Sequence, residues 1–434
     1  MRQPKKFTPH PFAYHEEVEV EISALSNLGV GIARVSLPEN ALTPVSLPGI
    51  KQKTELDEPD SDKSWVVFVP HTLPGEKVIA RIYRNDKSHS QADLLKIIDP
   101  SPDRQEPKCE LFGRCGGCQY QHLSYDKQLA WKTRQVEELL QYMAGIEAHV
   151  SPAIASPKQW GYRSKITPHF KKPRDGKINE IGFLLTGQRS HLVDVEQCTI
   201  AMDEINEALP QIREKTRAHT KPYKKDATLL LRATEGRVET DHKQTISETV
   251  RTDNGDIKFN FLAGDFFQNN PFILPAFTKY VAEQASASGA KFLVDAYCGS
   301  GLFSLSLAHK FEQVAGVEVS ETSAEWASKN AALNNITNAT FLASSAEAIF
   351  DDITFPADET AVVIDPPRKG CNQEFLDQLF NYGPSKVVYI SCNPATQMRD
   401  LKEFLAAGYK LQEVQPFDLF PQTRHLECVI VLNR

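Results

Sequence analysis

The feature that most constrains this chain is a run of apolar segments alternating with helix-like ones over residues 261–434: FLVDAYCGSGLFSLSLA, QVAGVEVS, AEWASKNAALNN, TAVVIDPPR, KVVYISCNP and LECVIVL. Strands buried on both faces read as continuous apolar runs, and strands separated by helices are laid side by side in parallel. The pattern therefore predicts a mostly parallel, doubly wound, Rossmann-like α/β sheet. Such sheets bind ligands beyond the carboxyl ends of their strands. Asp295, Glu318, Asp365 and Cys392 all stand at or just after a predicted strand end.

At 434 residues the chain exceeds what one core usually organises, so further domains are expected before residue 261. Residues 17–35 alternate apolar and polar and break at Gly29 and Gly31, and residues 65–83 alternate again around Pro74 and Gly75. These are strands with tight turns, and they predict a small OB-like β-barrel over residues 12–100. Residues 37–64, rich in Pro, Ser, Asp and Lys, read as a flexible insertion. In SYDKQLAWKTRQVEELLQYMAG, Leu129, Val136, Leu139, Leu140 and Met143 recur at helical spacing until Gly145, which predicts an amphipathic helix. Short alternating stretches such as EIGFLLTG, HLVDVEQCTI and ATLLLRAT predict a mainly β central domain over residues 101–260.

Hydrophobic residues make up 41% of the chain, yet no apolar run is long enough to cross a bilayer. The first residues lack the apolar region of a secretory signal, so a cytoplasmic location is expected, with no membrane partner and a monomeric chain. A formal net charge of −7 says little about nucleic acid, because it averages over faces that never meet the ligand. Two basic runs matter more: Lys165, Lys171, Lys172, Arg174 and Lys177, then Arg213, Lys215, Arg217, Lys221, Lys224 and Lys225. Each is read as phosphate contact or as an ordinary solvated face.

After the strand ending at Asp295 the chain turns through Gly299 and Gly301 into a helix, and glycine there lets backbone approach a ligand closely. Glu318, at the next strand end, is placed to accept the hydroxyls of a ribose. The third glycine of a dinucleotide fingerprint is missing, since Ser304 occupies it in GSGLFS. S-adenosylmethionine has no pyrophosphate to cradle, and a dehydrogenase has no use for a thiol beside its cofactor. That thiol is Cys392, which follows an apolar strand and precedes the turn-forming Asn393 and Pro394. A thiolate suits reversible attack on C6 of a uracil, which makes C5 nucleophilic toward a methyl donor. A base must then remove the C5 proton, and Glu427, opening the last strand, is the candidate. Asp365 precedes two prolines that stiffen its loop, and Arg368 stands where amino-methylating enzymes often carry an aromatic residue. The target base must leave its stack to be reached. Cys298, Cys371 and Cys428 read as small core residues.

Cys109, Cys115 and Cys118 form C-x5-C-x2-C among glycines, with Cys198 following later. Four thiolates can close around zinc or an iron-sulfur cluster, and the composition alone does not choose; His122 could stand in for Cys198.

In order, DAYCGSG, DPPRKG, ISCNP and HLECV resemble the RNA 5-methyluridine methyltransferases, and the likeness covers nearly the whole chain. The N-terminal segment looks like the TRAM domain of that family, an RNA-binding barrel, and WGYRSKI resembles the opening of its central domain. The resemblance implies an S-adenosylmethionine-dependent methyltransferase domain over residues 261–434 acting on rRNA or tRNA. It implies Cys392 as nucleophile, Glu427 as proton acceptor and Asp365 facing uracil and cofactor. It also implies Gln268, Tyr297, Glu318 and Ser345 as cofactor-binding positions, and a [4Fe-4S] cluster held by Cys109, Cys115, Cys118 and Cys198. Leu302 departs from a polar contact seen in some relatives. Two rivals are a non-catalytic iron-sulfur RNA-binding protein and a methyltransferase acting on another base.

Overall fold

The computed structural model describes residues 7–37, 64–188, 190–287, 289–344, 349–350 and 353–434. Residues 38–63 of the expected insertion, and Ser345, lie outside them. The chain divides into two compact units, Met1–Pro107 with Cys118–Lys127, and Lys108–Gly117 with Gln128–Arg434.

The first unit is built on a closed barrel of β1 (Glu17–Leu25), β2 (Val30–Val35), β3 (Trp65–Pro70), β4 (Lys77–Asn85) and β5 (His89–Asp99), in the order β1-β2-β3-β5-β4. Alternation sends Val20, Ile22, Val67, Val69, Val78, Ala80 and Ile82 into one core. Gly31 is required there, because a Cβ would collide with the Thr72 hydroxyl. The buried Glu76 holds the barrel's exit: Arg104 donates to it at 2.5 and 2.8 Å and to the His71 carbonyl at 2.9 Å.

Helix α1 (Tyr125–Leu139) runs into a wider turn, Leu140–Ala144, that Gly145 caps at φ 74°. Its buried positions are Gln128, Lys132, Gln135 and Val136, so the inward face is mostly polar. Of the apolar stripe expected from the sequence, Val136 and Leu140 are buried in the core, Leu139 and Leu129 are half-buried and Met143 is exposed, so the helix buries it only in part.

Beyond it the central region holds two small sheets. One joins β7 (His169–Phe170), β8 (Ile181–Leu184), β9 (Leu192–Asp194) and β10 (Ala227–Thr228). The other joins β6 (Lys165–Ile166), β11 (Leu231–Thr234) and β12 (Arg237–Glu239). Between them α2 (Asp203–Ala218), a helix not foreseen, buries Ile205, Leu209, Arg213 and Thr216. A helical stripe half made of polar residues does not announce itself as apolar periodicity. A hairpin of β13 (Thr245–Thr252) and β14 (Gly255–Leu262) follows, then α3 (Leu274–Ser286).

The last sheet has seven strands: β15 (Phe292–Ala296), β16 (Gln313–Glu318), β17 (Ala339–Ala343), β18 (Thr360–Ile364), β19 (Lys386–Ser391), β20 (Lys410–Phe417) and β21 (Glu427–Asn433). Their order is β17-β16-β15-β18-β19-β21-β20, parallel from β17 through β19 and antiparallel at β21 and β20. The doubly wound expectation is met. Helices α4 (Leu302–Leu307), α5 (Glu321–Leu333), α6 (Gln373–Tyr382) and α7 (Pro394–Ala406) complete it. Leu293, Val363, Val388 and Val429 share a core with Phe277 and Val281 of α3, while Val294, Val362, Val387 and Ile430 share another with Phe375 of α6 and Phe404 of α7. The strand order reverses between β15 and β18, the switch point where the crevice of such sheets opens. No helix among the described residues is long and apolar enough to cross a membrane.

Candidate active site

At the end of β15, Asp295 is fully buried. The Ser304 amide and hydroxyl donate to its Oδ2 at 2.8 and 2.5 Å, which is what the serine does in place of a third glycine. Its Oδ1 is buried without a hydrogen-bond partner. Burial first, with the Glu318 charge, pushes Asp295 up to about 7 against the Ser304 hydrogen bonds. Tyr297 then takes φ 68°, a conformation uncommon for any residue but glycine, before Gly299 and Gly301 at φ 55° and 92° turn the chain into α4. The space beyond Gly299 is open, since a Cβ would meet nothing within 4 Å. The Gly299 amide donates to Glu318 Oε2 at 3.1 Å and the Ser320 amide to Oε1 at 2.9 Å. Each oxygen keeps acceptor capacity for a ligand hydroxyl. An orphaned acid oxygen, an open glycine turn and a half-committed carboxylate fit the ribose and cationic sulfonium of adenosylmethionine. Gln268 is buried beside Phe267, which shares an apolar cluster with Leu302 and Phe303 of α4.

Across the switch point, Asp365 follows β18, half-buried, and leads through Pro366 and Pro367 to the exposed Arg368. Asn393 Nδ2 and Thr396 Oγ1 donate to the Arg368 carbonyl at 3.0 and 3.2 Å, tying this loop to the start of α7. Asp400 of α7 accepts from the Cys371 amide at 2.8 Å and the Tyr389 hydroxyl at 2.7 Å, which anchors the loop's far end to β19. Cys392 is half-buried one residue before the Asn393 cap of α7. The positive end of a helix favours a thiolate there. Glu427 opens β21 and is 4% exposed, so it is no surface glutamate. Ser391 pairs with Cys428 across β19 and β21, which makes Cys392 and Glu427 the next opposed positions.

Electrostatics ties these groups together. Burial, then the Glu427 and Asp365 charges, raises the Cys392 thiol to about 11, while Arg368 opposes through charge and a hydrogen bond. Burial and then Asp365 hold Glu427 well above the usual carboxylate range, again against Arg368. Burial and then Asp295 raise Asp365. Neighbouring acids of this kind disfavour one another's ionisation. His425 is pushed down to about 4 by burial first, then by Arg368, Arg424, Lys132 and Arg163, and stays neutral. Arg368 was missed as a group acting on the thiol; DPPRKG carried it, but only folding brings its charge to Cys392.

The segment leading to Glu427 is held by the polar face of α1. The fully buried Lys132 lies 2.6 Å from Asp418 Oδ1 and donates to the Phe420 and His425 carbonyls at 3.3 and 2.9 Å. Gln128 and Gln422 exchange two hydrogen bonds of 3.0 Å, and the Tyr162 hydroxyl donates to the Pro421 carbonyl at 2.9 Å.

The basic runs divide. Arg213, 3% exposed, donates to the Ile181 and Val195 carbonyls at 2.7 and 2.6 Å and pairs with Asp194, so it is structural. Lys165 turns inward onto the Gly264 and Asp265 carbonyls at 3.0 and 3.1 Å. Arg217 also bonds Asp194, and Lys171 pairs with Asp226 at 2.9 Å. Lys172, Arg174, Lys177, Lys215, Lys221, Lys224 and Lys225 are exposed.

Cys298, Cys371 and Cys428 are buried, as expected. Cys109, Cys115 and Cys198 are neighbours in the second unit: after burial, the charges of Cys198 and Cys109 help raise Cys115 to about 11. Asn206 clasps Cys198, accepting from its amide at 2.8 Å and donating to its carbonyl at 3.0 Å. Yet among the described residues no three His, Cys, Asp or Glu side chains gather into a set that could hold a metal ion. Thiol chemistry and proximity fit a cluster, while no closed ligand set forms among the described residues. Cys118 falls in the first unit, as does the buried His122, pushed down to about 3 by burial, Arg104 and His71.

A family model described as tRNA (Uracil-5-)-methyltransferase matches residues 175–434. The tRNA (uracil(54)-C(5))-methyltransferase of Schizosaccharomyces pombe is 44% identical over 448 residues, covering 98% of this chain and 79% of that protein. The Saccharomyces cerevisiae protein of the same name is 34% identical, covering 98% and 75%. The crystal structure of Pyrococcus abyssi tRNA (uracil-54, C5)-methyltransferase in complex with S-adenosyl-L-homocysteine is 24% identical with a TM-score of 0.68, covering 96% of this chain and 100% of that one. That last likeness bears on the fold.

Proposed function

The chain belongs to the tRNA (uracil-5-)-methyltransferase family, and on that premise we propose that it methylates C5 of the uridine at position 54 of tRNA, with Cys392 as nucleophile and Glu427 as proton acceptor. The observation that supports this most is the pairing of β19 with β21, which sets a thiol and a buried carboxyl opposite each other beside Asp365 and Arg368.

Adenosylmethionine supplies an electrophilic methyl group on its sulfonium. Gln268, Tyr297, Gly299, Gly301, Glu318 and Asp365 would hold it at the switch point. The Cys392 thiolate, favoured by α7 and Arg368, bonds to uracil C6, and the C5–C6 π pair moves onto C5 and O4. Once C5 carries the methyl group, Glu427 takes the C5 proton. The electron pair of the broken C5–H bond re-forms the C5=C6 double bond, and the C6–S pair leaves with the sulfur as thiolate. A buried carboxylate with a raised pKa is a strong base when ionised, as this step requires.

The barrel is assigned to the TRAM type and, with the central region and its exposed lysines, to RNA contact. Cys109, Cys115, Cys118 and Cys198 are assigned to a [4Fe-4S] cluster, supported by the proximity of three of the thiols and by Cys118 following Cys115 by three residues. No step of the reaction runs through it. A cytoplasmic location goes with a tRNA substrate.

The test uses methyl-labelled adenosylmethionine with tRNA lacking the modification, followed by nucleoside analysis. Labelled 5-methyluridine is expected in the fragment containing position 54, and a digest without it discards the proposal. Cys392→Ala should give no product, while Glu427→Gln should accumulate a gel-stable covalent adduct. An adduct in the alanine variant would reassign the nucleophile.

A further inference from the structure

The loop joining β14 to α3, residues 263–273, carries Gln268 and has no sheet or helix to hold it. Besides the Ala263 and Gly264 amides on the Gln244 and His242 carbonyls, and Asn270 Nδ2 on Ser156 and the Leu419 carbonyl, it is fastened by groups of the central region. Lys165 Nζ donates to the Gly264 and Asp265 carbonyls at 3.0 and 3.1 Å, and Arg232 Nη1 adds a hydrogen bond to the Asp265 carbonyl at 3.1 Å. The Ser164 amide donates to the Asn269 carbonyl at 2.8 Å. Arg232 is 2% exposed, and its guanidinium lies 4.7 Å over the Phe261 ring. Phe261 in turn stacks on Phe267 at 4.5 Å, with ring planes 11° apart. A continuous column thus runs from Arg232 through two rings to the residue before Gln268.

Burying cations is costly unless they are paired or hydrogen-bonded. Here the buried Arg232 and the half-buried Lys165 are used on backbone carbonyls of one loop. Burial first pushes Lys165 down to about 8 and Arg232 to about 10, and it raises the neighbouring Glu248 to about 7. Lys165, read from the sequence as part of a basic run for phosphate contact or solvent, turns its ammonium onto backbone carbonyls instead.

We infer that Lys165 and Arg232 are positioning residues for adenosylmethionine, holding the loop in the shape in which Gln268 meets the ligand. The inference rests on the reading of Gln268 as a ligand contact. Without these donors the loop samples other shapes, and the ligand must select the competent one, which weakens binding by the fraction lost. Chemistry at saturating ligand is then largely spared.

The experiment measures the Kd for adenosylmethionine by titration calorimetry, and KM and kcat with tRNA, for the wild type, Lys165→Met, Lys165→Arg, Arg232→Met and Gln268→Ala. The Kd should rise about tenfold or more in Lys165→Met, about 1.4 kcal/mol at tenfold, with kcat at saturation within about twofold. Lys165→Arg, whose guanidinium can reach the same carbonyls, should recover most of the affinity. If Arg232→Met does not fold, the Lys165 pair decides alone. An unchanged Kd in Lys165→Met, or one that weakens only tRNA binding, overturns the inference. If Gln268→Ala keeps wild-type affinity, the reading of Gln268 fails instead, and a wild type without methyl transfer to tRNA fails the proposed function.

Discussion

Cys392, the nucleophile of the proposed reaction, starts at a disadvantage: its thiol is raised to about 11, and only a thiolate attacks. Burial and two acids disfavour ionisation, and Arg368 is the group that opposes them. The sign is testable. Removing the guanidinium in Arg368→Met should move the pH profile of Cys392 alkylation by iodoacetamide upward, and a midpoint one pH unit higher means about tenfold less thiolate at any pH below it. Glu427→Gln should move it downward, because an acid that disfavours the thiolate is gone. A profile unmoved by the Arg368 change would mean that the guanidinium does not act on the thiol. Isolated residues of this kind were only partly legible. Cys392 and Asp365 stood out because a fully buried strand must end where a polar residue and a proline follow. Arg368 was read merely as an absent aromatic side chain.

Among the elements, α1 shows how apolar periodicity reads only part of a buried face. Its spacing of Leu129, Val136 and Leu140 is real, but Lys132 and Gln128 are the side chains that reach the segment before Glu427. Their partners lie 286 and 294 residues away, a separation over which no local pattern carries information. Breaking the buried pair with Lys132→Met leaves Asp418 buried and unpaired, which should destabilise the protein by about 3–5 kcal/mol in denaturant unfolding. Adding Asp418→Leu should restore much of it; a single variant as stable as the wild type would show that the pair carries no weight. In the sheet, by contrast, β15, β16, β18, β19 and β21 were legible, because burial on both faces leaves continuous apolar runs, whereas the more exposed β17 and β20 were not read. Lys165 and Arg213 were not, since a lysine or arginine looks the same in sequence whether it meets phosphate or a carbonyl.

For the whole molecule, reaction type was readable and destination was not. The sequence left ribosomal and transfer RNA level, because strand-end residues encode chemistry and not the address of the target. It is the relatives that point to tRNA. The cysteines pose the remaining question at this scale. Anaerobic purification should give brown protein with iron and acid-labile sulfide in equal amounts, lost in Cys115→Ala. Colourless protein loaded with zinc would remove the iron-sulfur assignment.

The antiparallel neighbours β19 and β21 carry one more implication. A covalent enzyme is at risk of becoming stuck to its own substrate, and the safeguard is that whatever releases the adduct never drifts from whatever formed it. In the proposed reaction Cys392 directly follows β19 and Glu427 opens β21, so the ladder of backbone hydrogen bonds between those strands ties the proposed attacker and releaser together as the surrounding loops breathe.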